Sequence, residues 1–348
     1  MNSPNAPFTP NTGYTYVSGY QYVTPPPERL QAGQLRTAAS WLAVAILIHL
    51  VFSAFLPTVF TMLFSGFLAL GTMGGHYSVY TMDSLNQFVN LLSYLVSYLV
   101  PFWLYLQFLR MPLRAALPLR APRASLAVPG VFAGLGTAAI GTLCVQAVSF
   151  VCALLGVLPI SPDFSAPAGA MANVWYVLTL VVAAPLVEEF VFRGAILQSL
   201  RRFGDAFALI ISSFLFAVFH GNLVQAPNAL LMGIVMGFFA LRTGSLWASI
   251  AIHAVNNLAS VLIIYLSSSM SVNEQILLNE WTVLGYALVG LAALIYLMVR
   301  HGNIFSLRPA QGCILNSRQK YGAFFTSIPM LAMLALFAFL FIRNLQVV

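Results

Sequence analysis

The feature that most constrains this chain is a series of nine apolar stretches, each long enough to form a membrane-spanning helix. A spanning helix needs about 20 mostly apolar residues and satisfies its own backbone hydrogen bonds, which lipid cannot do. The stretches cover residues 38–70, 87–109, 126–156, 172–200, 205–222, 225–241, 245–268, 281–299 and 323–342. Only 7% of the residues are charged, against about 25% in a typical soluble domain. The sequence therefore predicts an all-α, polytopic membrane helix bundle of about nine helices.

The distribution of lysine and arginine predicts the orientation of this bundle. Cytoplasmic loops of membrane proteins carry an excess of these two residues. The predicted loops at 71–86 and 157–171 contain neither of them, whereas the loop between the second and third stretches contains Arg110, Arg114, Arg120 and Arg123. The pattern predicts a cytoplasmic N-terminus, and the short, undecorated chain favours a bacterial cell membrane. The net charge of +7 does not indicate nucleic acid binding, because no basic cluster accompanies a soluble domain.

Composition and the apolar pattern divide the chain into four parts. Residues 1–37 are rich in Pro, Asn, Tyr and Thr and have no apolar segment, which is typical of a disordered tail, here a cytoplasmic one. Residues 38–156 contain the first three predicted helices. Residues 171–268 contain helices four to seven, and residues 269–348 contain the last two. Most of the ionisable residues inside the predicted membrane region fall in the third part, 171–268.

The fourth predicted helix carries three ionisable residues in the apolar stretch PLVEEFVFRGAIL, which begins at Pro185. An ionisable residue inside a membrane is costly and is by default a functional hypothesis. Glu189 and Arg193 are four residues apart, a spacing that favours an ion pair on one helix face. Glu188 is rotated from Glu189 by about 100°, so it cannot share Arg193 equally. We therefore predict that Glu189 is structural and that Glu188 is free for chemistry.

Two further helices contribute histidines with a polar or aromatic partner four residues away. Phe216 and His220 share a face of the fifth predicted helix, and His253 and Asn257 share a face of the seventh. Counted at about 1.5 Å per residue from the cytoplasmic helix ends, Glu188, His220, His253 and Asn257 lie at similar depths. We expect these four side chains to meet at one site. His49, alone in the first helix, is instead expected to make a hydrogen bond between helices.

Three short motifs occur in order along this part of the chain. EEFVFR matches EExxxR, FAVFH matches FxxxH, and HAVNN contains HxxxN. In these motifs the chain resembles the CPBP family, which comprises CAAX prenyl proteases and bacteriocin-processing enzymes and is also called Abi. The resemblance covers residues 171–268 and implies a four-helix catalytic core.

The resemblance implies an intramembrane endopeptidase, which is a hydrolase. The family carries the name metalloprotease. It implies that Glu188 activates the attacking water and that His220 helps to bind this water or a metal. His253 and Asn257 are implied to stabilise the oxyanion. Supporting roles are implied for Glu189, Arg193 and Phe216. The expected partners are the lipid bilayer and a membrane-associated peptide or protein substrate, while the oligomeric state is left open.

Two versions of the chemistry remain open from the sequence. In one, Glu188, His220 and His253 bind zinc and leave a coordination position for water. In the other, no metal is present and Glu188 with His220 activates the water directly. The second is favoured, so no cofactor is expected. The chain has no HExxH motif, and a ligating Glu188 would leave no second carboxylate as base if Arg193 holds Glu189.

Functions of a different class are also compatible with these polar groups. A non-catalytic membrane scaffold or immunity protein, or a proton-coupled transporter, could use them to bind a partner or to carry protons. The transporter is disfavoured because the helical pattern shows no internal repeat. The sequence thus favours an intramembrane endopeptidase over both alternatives.

Overall fold

The computed structural model describes residues 15–17, 21–23, 26–71 and 79–347. Within this part of the chain the fold is an all-α bundle, as the sequence predicted. Eleven helices are present if α5 is counted as one continuous helix. They are α1 (Pro27–Gly71), α2 (Val79–Phe108), α3 (Leu113–Ala116), α4 (Ala124–Leu154), α5 (Ala170–Phe203), α6 (Asp205–Phe219), α7 (Ala226–Thr243), α8 (Leu246–Ser267), α9 (Val272–Arg300), α10 (Ser317–Phe325) and α11 (Ile328–Arg343).

Short strands form two small antiparallel pairs outside the bundle. Strand β1 (Thr15–Val17) pairs with β2 (Gln21–Val23), and β3 (Val157–Pro159) pairs with β4 (Leu345–Val347). The predicted tail, 1–37, therefore differs from the structure at its C-terminal end, because α1 already begins at Pro27. The remainder of that tail, apart from β1, β2 and Pro26, lies outside the described residues.

Seven helices in the described part of the chain are long and apolar enough to cross a membrane, namely α1, α2, α4, α5, α7, α8 and α9. Helices α10 and α11 together give an eighth candidate, but they are bent by 76° at the break between them. Pro329 lies at the start of α11, where its missing N–H and its ring disfavour continuation of the preceding helix. In place of the single straight helix predicted at 323–342, the structure has two helices with a bend between them.

Helix α6 is shorter than the predicted crossing at 205–222. It has 15 residues, which span about 22 Å, less than the hydrocarbon core of about 30 Å. The apolar run could not reveal this end, because the chain leaves the helix at His220 while its sequence stays largely uncharged. Nine predicted crossings thus become seven, or eight with the bent pair, among the described residues. The chain is an integral, multi-pass membrane protein.

The loops predicted to share one side of the membrane meet at one end of the bundle. The Leu246 N–H donates to the carbonyl of Pro118 at 2.9 Å, and Arg242 donates to the carbonyl of Ser306 at 3.0 Å. At the other end, Asn344 donates to the carbonyl of Gly221 at 2.9 Å, next to the β3–β4 pair. This grouping agrees with the alternation of basic loops, and the assignment of the basic end to the cytoplasm stays a prediction.

Helix α4 packs closely against α9 and forms one wall of the interior. A Cβ atom added to Gly136 would lie 2.6 Å from the Cα atom of Gly290, so the two backbones are in direct contact. Small residues at such crossings allow membrane helices to approach and gain van der Waals contact. Because α4 also contacts α7 and α8, it holds the α7–α8 pair against the rest of the bundle.

Candidate active site

A cavity of about 640 Å³ lies inside the bundle, lined by residues of α2, α4, α5, α6, α7 and α8 and of the neighbouring loops. All four residues expected to meet at one site line it: Glu188, His220, His253 and Asn257. Phe216 also lines it. The structure therefore brings together the side chains that the sequence selected, which come from α5, the C-terminal end of α6 and α8.

Glu188 presents its carboxylate to this cavity. The Tyr94 hydroxyl, on α2, donates a hydrogen bond to Glu188 Oε1. The other oxygen, Oε2, lies 3.8 Å from Nε2 of His253, and the Glu188 side chain keeps 13% of its surface exposed. Arg193 does not contact it, since the guanidinium is bonded to Glu189. The base expected from the sequence is thus reachable from the cavity and is not neutralised by an arginine.

Glu189 faces the protein interior and forms the predicted ion pair. Its Oε1 lies 2.7 Å from Arg193 Nη1, and both side chains are fully buried. Arg193 also donates from Nη2 to the carbonyl of Gly233 at 3.2 Å, and its Cζ lies 4.4 Å from the centre of the Phe216 ring. The ring face supplies a further favourable site for the cation. The pair joins α5 to α6 and α7 behind the cavity.

His253 lies between the two glutamates. Its Nδ1 is 3.0 Å from Glu189 Oε1, and since a carboxylate only accepts hydrogen bonds, Nδ1 must carry the proton. In the neutral ring, Nε2 then holds a lone pair 3.8 Å from Glu188 Oε2. Donation from Nε2 to an oxyanion therefore requires the doubly protonated ring. This histidine connects the buried ion pair with the carboxylate in the cavity.

His220 is anchored in the same way, at the end of α6. Its Nδ1 lies 2.8 Å from the carbonyl oxygen of Phe216 and must donate, because that oxygen only accepts. No hydrogen-bond partner of Nε2 is present among the described residues, so its lone pair is available in the neutral ring. The Phe216 ring packs edge-on against both imidazoles, with centroid distances of 5.1 Å to His220 and 5.8 Å to His253.

Asn257 has a partner that the sequence did not indicate. Helix α5 contains a π-helical segment at Leu178–Ala183, and the Ala184 N–H donates five residues back, to the carbonyl of Thr179. The next residue is Pro185, which has no N–H to donate to the carbonyl of Leu180. Asn257 Nδ2 donates to that carbonyl at 2.9 Å. One N–H of the expected oxyanion donor is therefore used to complete α5.

Residues 170–259 match the family model of the type II CAAX prenyl endopeptidase Rce1-like proteins. This segment is similar to the Rce1-like proteins. The match runs from the start of α5 into α8 and includes all three motifs, so the resemblance read from them is confirmed. The match supports the prediction of a CAAX-type intramembrane protease. Searches of curated proteins and of solved structures found no match.

The cavity also contains polar residues outside the motifs of the Rce1-like segment. Tyr94 is contributed by α2, in the sequence SYLVSYLV, where Ser and Tyr recur at four-residue spacing in an otherwise apolar helix. This stripe is the signal that could have revealed Tyr94. The other uncharged polar residues that line the cavity are Thr142, Gln146, Thr179, Gln225, Asn228, Asn256 and Ser260. They give the interior a wall able to hydrogen-bond water or a peptide backbone.

The zinc alternative requires Glu188, His220 and His253 to surround one metal ion. Within the described part of the chain, no group of three His, Cys, Asp or Glu side chains is arranged to hold a metal ion. One carboxylate oxygen of Glu188 is already hydrogen-bonded to Tyr94. As arranged here, these three side chains do not form a three-ligand zinc site, and zinc binding stays the less favoured alternative.

Proposed function

We propose that this chain is an intramembrane endopeptidase that hydrolyses a peptide bond in a membrane-associated peptide or protein. The observation that carries the proposal is the cavity of about 640 Å³ that gathers Glu188, His220, His253 and Asn257 inside the bundle. Hydrolysis at this depth needs water, a base and donors for the developing oxyanion. The Rce1-like match to residues 170–259 supports the same class of reaction.

Glu188 acts as the general base in the proposed reaction. Its Oε2, the oxygen not bonded to Tyr94, takes a proton from a water molecule while the water oxygen attacks the carbonyl carbon of the substrate. His220 accepts the second water proton in a hydrogen bond through Nε2 and so orients the nucleophile. When the tetrahedral intermediate collapses, the C–N bond breaks and the proton held by Glu188 passes to the leaving amine. General base catalysis of this kind typically contributes about 10²–10⁴ in rate.

His253 and Asn257 stabilise the oxyanion that forms on the substrate carbonyl. His253 donates from Nε2 in its doubly protonated form, which Glu189 and Glu188 flank at 3.0 and 3.8 Å. Asn257 uses its second N–H, since the first is bonded to Leu180. A single oxyanion donor is typically worth about 2.7–4 kcal/mol. The supporting residues Glu189, Arg193 and Phe216 hold both imidazoles in place.

The proposal is tested by comparing the purified wild type with Glu188→Ala on a library of membrane-associated peptides in detergent. We expect cleavage by the wild type and a loss of at least about a hundredfold in Glu188→Ala, the lower bound for a general base. Glu280→Ala is the matched control, because Glu280 is an exposed carboxylate on α9 and should leave cleavage unchanged. Equal cleavage by wild type and Glu188→Ala, or none by either, would instead favour a scaffold, immunity protein or transporter.

Metal analysis of the same samples separates the two versions of the chemistry. If Glu188 and His220 activate the water without a metal, we expect no stoichiometric zinc and no effect of a chelator on the rate of cleavage. Bound zinc, with activity that falls on chelation and returns with the metal, would instead require Glu188, His220 and His253 to move together as ligands.

A further inference from the structure

Tyr94 touches the proposed base from outside the Rce1-like segment. It lies on α2, and its hydroxyl donates to Glu188 Oε1. A phenol has a single proton to donate, so this bond is directed at one carboxylate oxygen. The other oxygen, Oε2, is left on the side of His253 Nε2, 3.8 Å away. The two oxygens of Glu188 are therefore in different environments.

The position of Tyr94 is fixed by its neighbours on α1 and α2. The Ser97 hydroxyl donates to the Tyr94 carbonyl at 3.0 Å, and the Tyr98 ring lies 4.6 Å from the Tyr94 ring. On α1, His49 donates from Nδ1 to the Ser97 carbonyl at 3.0 Å, as expected for a hydrogen bond between helices. The His49 ring lies 4.2 Å from that of Tyr98. The Tyr98 ring thus packs against the phenol, and the His49 bond joins this part of α2 to α1.

A second tyrosine joins the same two helices at a distance from the site. The hydroxyls of Tyr105, on α2, and Ser199, on α5, are 2.8 Å apart. Both this pair and the Tyr94–Glu188 pair are 94 residues apart in sequence, so α2 and α5 run in the same direction with one register. At about 1.5 Å per residue, the two bonds lie about 16 Å apart along the helices. These two side-chain hydrogen bonds therefore both join α2 to α5, and only the bond from Tyr94 involves Glu188.

We propose that Tyr94 is a positioning residue for catalysis, which holds Glu188 Oε1 so that Oε2 is presented to the attacking water. This inference rests on the proposed role of Glu188. A carboxylate on a flexible side chain would otherwise turn either oxygen toward His253 or rotate away from the cavity. The bond to a fixed phenol selects one orientation without a cation, which leaves the carboxylate able to accept a proton.

The test compares Tyr94→Phe with Tyr105→Phe. Each variant removes one hydroxyl from a bond between α2 and α5 and keeps the ring, so the structural change is matched. Because a hydrogen bond to a charged group is involved only at Tyr94, we expect Tyr94→Phe to lower kcat by about tenfold to a hundredfold. KM should be unchanged, and Tyr105→Phe should alter neither constant. A similar loss of kcat in both variants would show a structural role and overturn the inference. A Tyr94→Phe variant in which KM rises and the unfolding temperature falls together with kcat would do the same.

Infrared spectroscopy reads the hydrogen bond itself and separates this inference from the proposed function. Subtracting the spectrum of Glu188→Gln from that of the wild type isolates the carboxylate bands of Glu188. We expect Tyr94→Phe to shift these bands and Tyr105→Phe to leave them in place. Cleavage that depends on Glu188, together with unshifted bands in Tyr94→Phe, contradicts the role of Tyr94 alone. Shifted bands in a protein without Glu188-dependent cleavage contradict the proposed function and with it the catalytic role of Tyr94.

Discussion

Two neighbouring glutamates on α5 have opposite surroundings. Glu189 is fully buried, 2.7 Å from Arg193, and also accepts a hydrogen bond from His253. Glu188 lines the cavity, keeps 13% of its side chain exposed and is held by a neutral phenol. A rotation of about 100° per residue separates them, and this is enough to place one carboxylate in the protein interior and the other at the cavity. This difference is the basis of the proposed division between a supporting and a catalytic carboxylate.

The same comparison explains why His253 is central to the arrangement. It contacts Glu189 through Nδ1 and faces Glu188 with Nε2, so one ring spans both environments. The buried ion pair fixes the ring, and the ring in turn limits where the Glu188 carboxylate can lie. The contacts of Glu189 on the interior side of α5 therefore help to set the position of the His253 ring on the cavity side.

The largest expected effect is the loss of cleavage activity when Glu188, and not Glu189, is replaced. Glu188→Gln keeps an oxygen that can accept the hydrogen bond from Tyr94 but removes the base, so we expect activity to fall by about 10²–10⁴. The unfolding temperature should stay close to that of the wild type, because the buried Arg193 and His253 keep Glu189 as their partner. Both quantities are measured on the same detergent-purified protein. A Glu188→Gln protein with wild-type cleavage, or with clearly lowered stability, would contradict the division of roles.

The next effect concerns stability on the interior side. Arg193→Leu leaves the fully buried Glu189 carboxylate without its cation, and breaking a buried pair in this way typically costs about 3–5 kcal/mol. We expect this loss in the free energy of unfolding, measured in detergent. The loss in Arg201→Leu should be smaller, because Arg201, paired with Asp205 at 2.9 Å, keeps 32% of its side chain exposed whereas Arg193 is fully buried.

A double variant shows whether the unpaired charge causes that loss. Glu189→Gln combined with Arg193→Met removes both buried charges and keeps an acceptor for His253 Nδ1. Replacing both members of a buried pair by neutral groups is often nearly neutral for stability, so the double variant should be more stable than Arg193→Leu. If it is equally unstable, packing around Phe216 and Gly233, rather than charge, accounts for the cost.

The sequence predicted the part of this site that depends on helical spacing. The ion pair between Glu189 and Arg193 and the convergence of Glu188, His220 and His253 follow from residue spacing and depth, both of which are local properties. Tyr94 was not predicted, because its contact depends on the register of α2 against α5. The stripe of Ser and Tyr marks a polar face of α2, but no pattern within either helix encodes the register of α2 against α5. The three motifs all lie outside α2.

The sequence also missed features that arise from irregular backbone. The all-α membrane fold was predicted, and the stretch 172–200 corresponds closely to α5 at Ala170–Phe203. The early end of α6, the bend between α10 and α11 and the π-helical segments of α5 were not predicted. An apolar run specifies that a segment prefers lipid, and it does so whether the helix is continuous or broken. The partner of Asn257 depends on such an irregularity.

The smallest expected effect tests whether Asn257 replaces the hydrogen bond that Pro185 cannot make. Asn257→Ala removes the donor to the Leu180 carbonyl, and a hydrogen bond between membrane helices is worth about 0.6 kcal/mol on average, up to about 1.7. In a Pro185→Ala background, the new N–H of residue 185 can donate to the same carbonyl, so Asn257→Ala should cost less there. The measurement is a double-mutant cycle on the free energy of unfolding, with Asn256→Ala as the control, since Asn256 is bonded to Asn257 at 3.5 Å and not to Leu180. Additive costs for Asn257→Ala and Pro185→Ala would mean that the two residues do not share this carbonyl. Asn257 would then be free to give both N–H groups to the substrate side, and the cavity side of α5 would depend on α8 less than the geometry indicates.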